Sequence, residues 1–213
     1  MAKISLRSYL LDIERLIDNK QIDEALAHCH HILESFPKNI DTYRLFGKAY
    51  LEQQSYADAA DIFQRVLSTT PDDFISHVGM SIIREDEGNL DEAIYHMQRA
   101  FEKQPSNVAI QDELRRLYGM RDGIEPPKIR MTRGALARMY MKGELYQQAG
   151  LELRSALADD PDRVDLQLLL AKVDVKIGNS SEAIDLTQAI IRKLPNAYEA
   201  NLILANLLSE NEQ

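Results

Sequence analysis

Tryptophan is absent from the 213-residue chain, and cysteine occurs once, as Cys29. One thiol cannot close an intramolecular disulfide, and no zinc-type Cys/His spacing accompanies it, so a reducing, cytoplasmic setting is expected. No run of eighteen apolar residues occurs, so the sequence predicts no membrane-spanning helix and no membrane partner. Lys3, Arg7, Asp12, Glu14 and Arg15 interrupt the beginning of the chain, leaving no apolar stretch of signal-peptide length. Positive charge is in deficit, with 25 Lys and Arg against 34 Asp and Glu and a net charge of −9. That balance argues against general affinity for nucleic acid or anionic lipid.

Motifs of catalysis are missing too. Gly143 and Gly150 belong to no G-x-x-x-x-G-K-S/T or G-x-G-x-x-G sequence, and no strand is predicted to precede one. No nucleophile, base and orienting acid fall together on one helical face. The chain therefore reads as non-enzymatic, with no cofactor. His28-Cys29-His30-His31 resembles a metal cluster only superficially: on a helix Cys29 turns to the core and only His28 and His31 share a face. Two ligands fall short of the four a structural site needs, so no metal is expected.

What is present is order and repetition. Hydrophobic residues make up 45% of the chain and Tyr (9) outnumbers Phe (5), which suits amphipathic helix pairs rather than disorder. Pro37, Pro71 and Pro105 are spaced 34 residues apart, as are Pro161 and Pro195. Within residues 40–73 the order is Tyr43-x-x-Phe46-Gly47-x-x-Tyr50, then Ala59-x-x-x-Phe63, then Pro71. The first group forms one helical face, the second a matching face, and the proline ends the unit. This resembles the tetratricopeptide repeat, W-x-x-L-G-x-x-Y…A-x-x-x-F…P, nearly position for position. A helix pair of this size cannot bury its apolar surface without neighbours.

The resemblance covers nearly the whole chain. Repeat one fits 6–39 through Tyr9, Leu16, Ala25, Cys29, Ile32 and Pro37, with Asp12-Ile13 in place of Leu-Gly. Repeat three fits 74–107 through Met80, Ser81, Ala93, Met97, Ala100 and Pro105, with Gly88-Asn89 as its internal turn. Pro105 and Pro161 are 56 residues apart, breaking the period. Repeat four starts at Val108 with Gln111, Leu114 and Tyr118, then meets Gly119, Gly123, Pro126 and Pro127. Its second helix is expected to be lost and 119–128 to be a linker. Repeat five (from Arg130) and repeat six (164–197) resume the pattern. A seventh begins at Tyr198 and stops at Asn211-Glu212-Gln213, where a turn into a second helix is expected and a longer natural chain is suggested. The expected fold is an all-α, right-handed α-solenoid of tetratricopeptide helix pairs, about twelve helices, in two blocks, 6–118 and 129–213.

In this family, positions 2, 5, 9 and 12 of each first helix line a concave groove that holds a partner segment. Carried over, position 9 reads Glu14, Lys48, Ile82, Arg116, Arg138, Lys172 and Asn206, and position 5 reads Leu10, Arg44, Val78, Asp112, Gly134, Leu168 and Leu202. The candidate groove residues are Arg44, Lys48, Ile75, Val78, Ile82, Arg116, Arg138, Lys142, Lys172 and Lys176. From Arg115 to Lys142, eight basic residues face Asp122 and Glu125, a net +6, leaving −15 for the rest. Two readings stand side by side: an anion site for an acidic peptide, a carboxylate or a phosphate, or side chains that are solvated or paired with acidic neighbours. Ile75, Val78 and Ile82 either hold an apolar anchor of a partner or are buried against the irregular fourth helix or the linker.

The carboxylate clamp of chaperone-binding family members is not reproduced. It needs Lys and Asn at positions 5 and 9 of one repeat, where the chain has Leu10 and Glu14, then Arg44 and Lys48 followed by Gly79. The resemblance implies a protein-interaction scaffold binding an acidic peptide segment. Alternatives are a recognition or oligomerisation arm of a longer enzyme or regulator and, less favoured, an RNA-binding helical repeat, which needs basic and aromatic residues in every repeat. Leu202, Ile203, Leu204, Leu207 and Leu208 give the last helix an apolar face that, if the chain ends at Gln213, a homodimer could cover.

Overall fold

The computed structural model describes residues 5–211, and among these it contains twelve α-helices and no strand. In order they are α1 (Leu6–Asp18), α2 (Ile22–Ser35), α3 (Ile40–Glu52), α4 (Tyr56–Thr69), α5 (Phe74–Asp86) and α6 (Leu90–Lys103). There follow α7 (Val108–Asp122), α8 (Arg133–Lys142), α9 (Tyr146–Asp159), α10 (Val164–Ile177), α11 (Ser180–Lys193) and α12 (Tyr198–Asn211). The fold is an all-α solenoid of helix pairs. The turn expected at Glu212 and Gln213 lies outside the described residues.

Two kinds of turn alternate along the chain. Between pairs, the periodic proline sits in a turn and Asn39 or Asp73 caps the next helix, accepting from the amide of Thr42 (2.8 Å) or Ser76 (2.9 Å). Side chains four places into the pattern also reach back to the proline carbonyl. Tyr43 donates to Pro37 (3.1 Å), Gln111 to Pro105 (2.6 Å), Gln167 to Pro161 (2.7 Å) and Asn201 to Pro195 (3.0 Å). Inside pairs, the turn rests on one residue with positive φ: Lys20, Gln54, Gly88, Glu144 and Gly178. The amide that follows bonds back to the helix end, as from Ser55 to the Tyr50 carbonyl (2.9 Å) and from Asn89 to Arg84 (2.8 Å). These bonds satisfy carbonyls that the helix leaves unpaired.

Packing divides the chain into two compact units. The first comprises residues up to Leu67 with Asp73–His96. Its core joins Ile13, Ile17, Ala25, Cys29, Ile32, Phe46 and Ala49, then Ala59, Phe63, Met80 and Ile83. The second comprises Ser68–Asp72 with the residues from Met97 on, and its core includes Ala149, Leu153, Leu166, Leu170, Val173, Ile190 and Ala200.

The 119–128 stretch differs from its expectation in two respects. Helix α7 continues through Gly119 to Asp122 and ends at Gly123, whose φ of 80° terminates it. A single glycine lowers helix stability by only about 1 kcal/mol, less than buried Leu114 and Leu117 on the same helix contribute. The irregular segment, 123–132, also lies inside the second unit and does not separate two. Glu102 on α6 accepts from Thr132 (2.8 Å), and Arg138 on α8 reaches Asp72 (3.2 Å), so chain on both sides of the segment is tied together.

Candidate functional site

In the first unit, α5 buries Ser76, His77, Gly79, Met80, Ser81 and Ile83 while leaving Ile75 and Ile82 exposed and Val78 half-buried. The two isoleucines are seven residues apart and share a face. Beside this apolar stripe the basic candidates of the unit are already matched. Arg44 donates from Nε to Asp73 (2.6 Å) and also pairs with Asp41; burial lowers its pKa, but the two carboxylates raise it by more. Lys48 lies 3.0 Å from Asp18 and 3.7 Å from Glu14.

In the second unit an ionic cluster occupies the ground where a free basic stripe was one of the two readings. Arg138, only 11% exposed, contacts Asp72 (3.2 Å) and Asp165 (3.4 Å). Arg163 bonds Asp165 through Nε and Nη2 (both 2.8 Å) and Glu102 through Nη2 (2.6 Å). Burial would raise the Asp165 carboxyl, yet Arg163, Arg138 and Arg99 hold it down at about 2. Burial likewise opposes the Asp72 carboxylate, and Arg138, Lys103 and Lys172 overcome it, lowering the pKa. Removing one partner of such a cluster strands a buried charge, which is far costlier than losing a surface pair.

Arg116 forks onto Glu113 (2.6 and 2.9 Å), and Lys172 pairs with Glu199. Among the second unit's candidates, only Lys142 and Lys176 are exposed and have no ion pair among the described residues. Sequence reasoning missed Asp72, Glu102, Arg163 and Asp165. One signal was available: Arg163 stands two residues after Pro161, in the slot where Asn39, Asp73 and Asn107 stand in other repeats. It makes no side-chain cap on α10 and instead supplies the guanidinium of the cluster.

The histidine run serves packing. His28 Nδ1 bonds the Tyr9 hydroxyl (2.7 Å), His30 lies edge-on to Phe46, and Cys29 is fully buried, its thiol pKa pushed up to about 12 by burial. Among the described residues, no group of three or more His, Cys, Asp or Glu side chains is arranged to hold a metal ion. No helix among them is long and apolar enough to cross a membrane.

Helix pairs recurring at 34 residues, each turned through one residue of positive φ, define a helical-repeat protein. The sequence profile of the tetratricopeptide repeat matches residues 16–77 and 140–207, more than half of the chain. The chain belongs to the tetratricopeptide-repeat family. It is 24% identical over 181 residues to the BBSome complex member BBS4 homolog of Drosophila melanogaster, a match covering 83% of this chain and 35% of that protein. The chain thus spans about a third of that relative's length. Similar solved structures include a thermophilic TPR protein of Thermus thermophilus (TM-score 0.49, 15% identity, 96% of this chain and 99% of that one). Another is the TPR2AB-domain:pHSP90-complex of yeast Sti1 (TM-score 0.48, 18% identity, 94% and 82%).

Proposed function

We propose that the chain is a non-catalytic protein-interaction scaffold whose first-helix faces bind an extended segment of a partner protein. The observation that carries this reading is α5, packed on its other side yet presenting Ile75 and Ile82 to solvent at one-face spacing. A partner's apolar side chain would cover them. Preference for acidic segments is supported by Lys142 and Lys176, whereas Arg44, Lys48, Arg116, Arg138 and Lys172 already have carboxylate partners. The test is quantitative capture of partners from source-cell lysate by the wild type, by Ile75→Asp/Ile82→Asp and by Lys142→Glu/Lys176→Glu. Loss of a specific protein at unchanged helical signal is the expected result. Identical capture by all three would overturn the reading.

A second reading, as an arm of a longer protein or an assembly, is favoured by the match to about a third of a relative that is itself named as a complex member. Native gel filtration of lysate is expected to place the protein in a large species; elution as a small monomer counts against it. Self-association through α12, where Leu202 and Leu208 are 46% and 47% exposed, belongs to the same reading. A monomer by light scattering at high concentration would remove it.

A further inference from the structure

The irregular segment 123–132 forms one wall of a cleft of about 490 Å³ against α6 and α7. Leu114 and Tyr118 line it from α7, while Ile124 and Met131 line it from the segment. Ile124 is 79% exposed and Met131 39%. This exposure does not come from a loosely held loop. Arg115 Nε donates to the Pro126 carbonyl (2.9 Å), and Thr132 bonds Glu102 while accepting from the Ala135 amide (3.1 Å) to cap α8. The wall is anchored near its middle and at its end, and an apolar side chain displayed on an anchored segment marks a contact surface.

Charge decides what fits. Asp122 is taken by Arg121 (2.7 Å) and Glu125 by Arg115 (3.4 Å). Lys128 and Arg130, which also line the cleft, are exposed and have no ion pair among the described residues. The cleft is therefore lined mainly by apolar side chains, with Gln98 and Tyr118 hydrogen-bonded to each other, and has two uncompensated cations around it. Its volume, in the range of small-ligand pockets, admits one or two side chains and not a helix.

We propose that this cleft is a second peptide-docking site, separate from the first-helix faces, for an acidic linear segment carrying one bulky apolar residue between carboxylates. It rests on the reading that the chain binds peptide segments, and the two faces are tested separately. The probe is a fluorescein-labelled oligoglutamate peptide with one central phenylalanine, followed by fluorescence anisotropy on the full chain. Binding with a Kd of about 10–100 μM is expected. Ile124→Asp and Lys128→Glu/Arg130→Glu should each weaken it by about tenfold or more. Lys38→Glu, at an exposed cation outside both faces, should leave it unchanged.

All of the substituted cleft side chains are exposed, so folding is preserved, and circular dichroism checks this. No binding at about 1 mM peptide overturns the proposal. Equal affinity for a peptide with alanine at the centre reduces the effect to charge and also overturns it. Loss only in the α5 variant, Ile75→Asp/Ile82→Asp, moves the site to the first-helix face, overturning the cleft while leaving the proposed function intact.

Discussion

Phe63 is held between two glycines on neighbouring helices. A Cβ added at Gly47 on α3 or at Gly79 on α5 would clash with atoms of its ring. The close approach belongs to the repeat pattern at Gly47, whereas at Gly79 it fills a position where the sequence suggested only a missing clamp residue. Gly79→Ala is expected to destabilise the protein by about 1–3 kcal/mol through overpacking, more than the roughly 1 kcal/mol that alanine adds to a helix. Phe63→Ala is expected to cost about 3–5 kcal/mol through the cavity it leaves. Urea denaturation of the two single variants and the double variant checks both. In the double variant the Gly79→Ala penalty should vanish, because the ring it strikes is gone. Additive penalties would show that Phe63 is not the obstacle.

At the scale of the element, the recurring device is the turn inside each pair. It needs one residue in the left-handed region every 34 residues, and Lys20, Gln54 and Glu144 occupy it without being glycine. L-residues pay roughly 1 kcal/mol there. Gln54→Gly is therefore expected to raise stability by about 0.5–1 kcal/mol, since relief of strain outweighs the added chain entropy. Gly88→Ala, at the equivalent site with φ of 75° and open space around it, should lower stability by about 1 kcal/mol. Thermal melts of the two variants check the pair. A drop for Gln54→Gly would mean that its side chain contributes more than the strain removes. The helices and their periodicity were legible in the sequence because apolar spacing and proline report directly on helical faces and ends. The left-handed positions were not, because only two of five carry glycine.

For the whole molecule, acid sensitivity follows from the buried cluster of the second unit. The Asp165 carboxyl, at about 2 in the folded protein, lies below its ordinary value of about 3.9 in an unfolded chain. Asp72 is shifted the same way. A carboxylate held down by folding stabilises fully above its unfolded value, and that contribution disappears as pH falls through the folded one. The urea midpoint is therefore expected to fall between about pH 4 and pH 2. Asp165→Asn should lower it at neutral pH, and the gap from wild type should narrow toward pH 2. Asp72→Asn, at a less buried partner of the same cluster, gives the same reading if Asp165→Asn does not fold. A constant gap across the range would remove the cluster from the pH dependence.

The sequence alone determined the helix pairs, their 34-residue period, the break after Pro105 and the family, because these depend on local spacing along one helix. Tertiary structure decided which charges are available. Arg138 meets Asp72 from 66 residues away, and Arg163 meets Glu102 from 61. Charge counting along the chain cannot see such pairs: within a basic stretch of net +6, Arg138 is drawn into the buried cluster, Arg115, Arg116, Arg121 and Arg133 pair nearer the surface, and Lys128, Arg130 and Lys142 stay exposed with no ion pair among the described residues. Tertiary structure alone also left Ile75, Ile82 and Ile124 in solvent. Whether an apolar side chain is covered depends on what other elements bring against it, and no periodicity within its own segment carries that information.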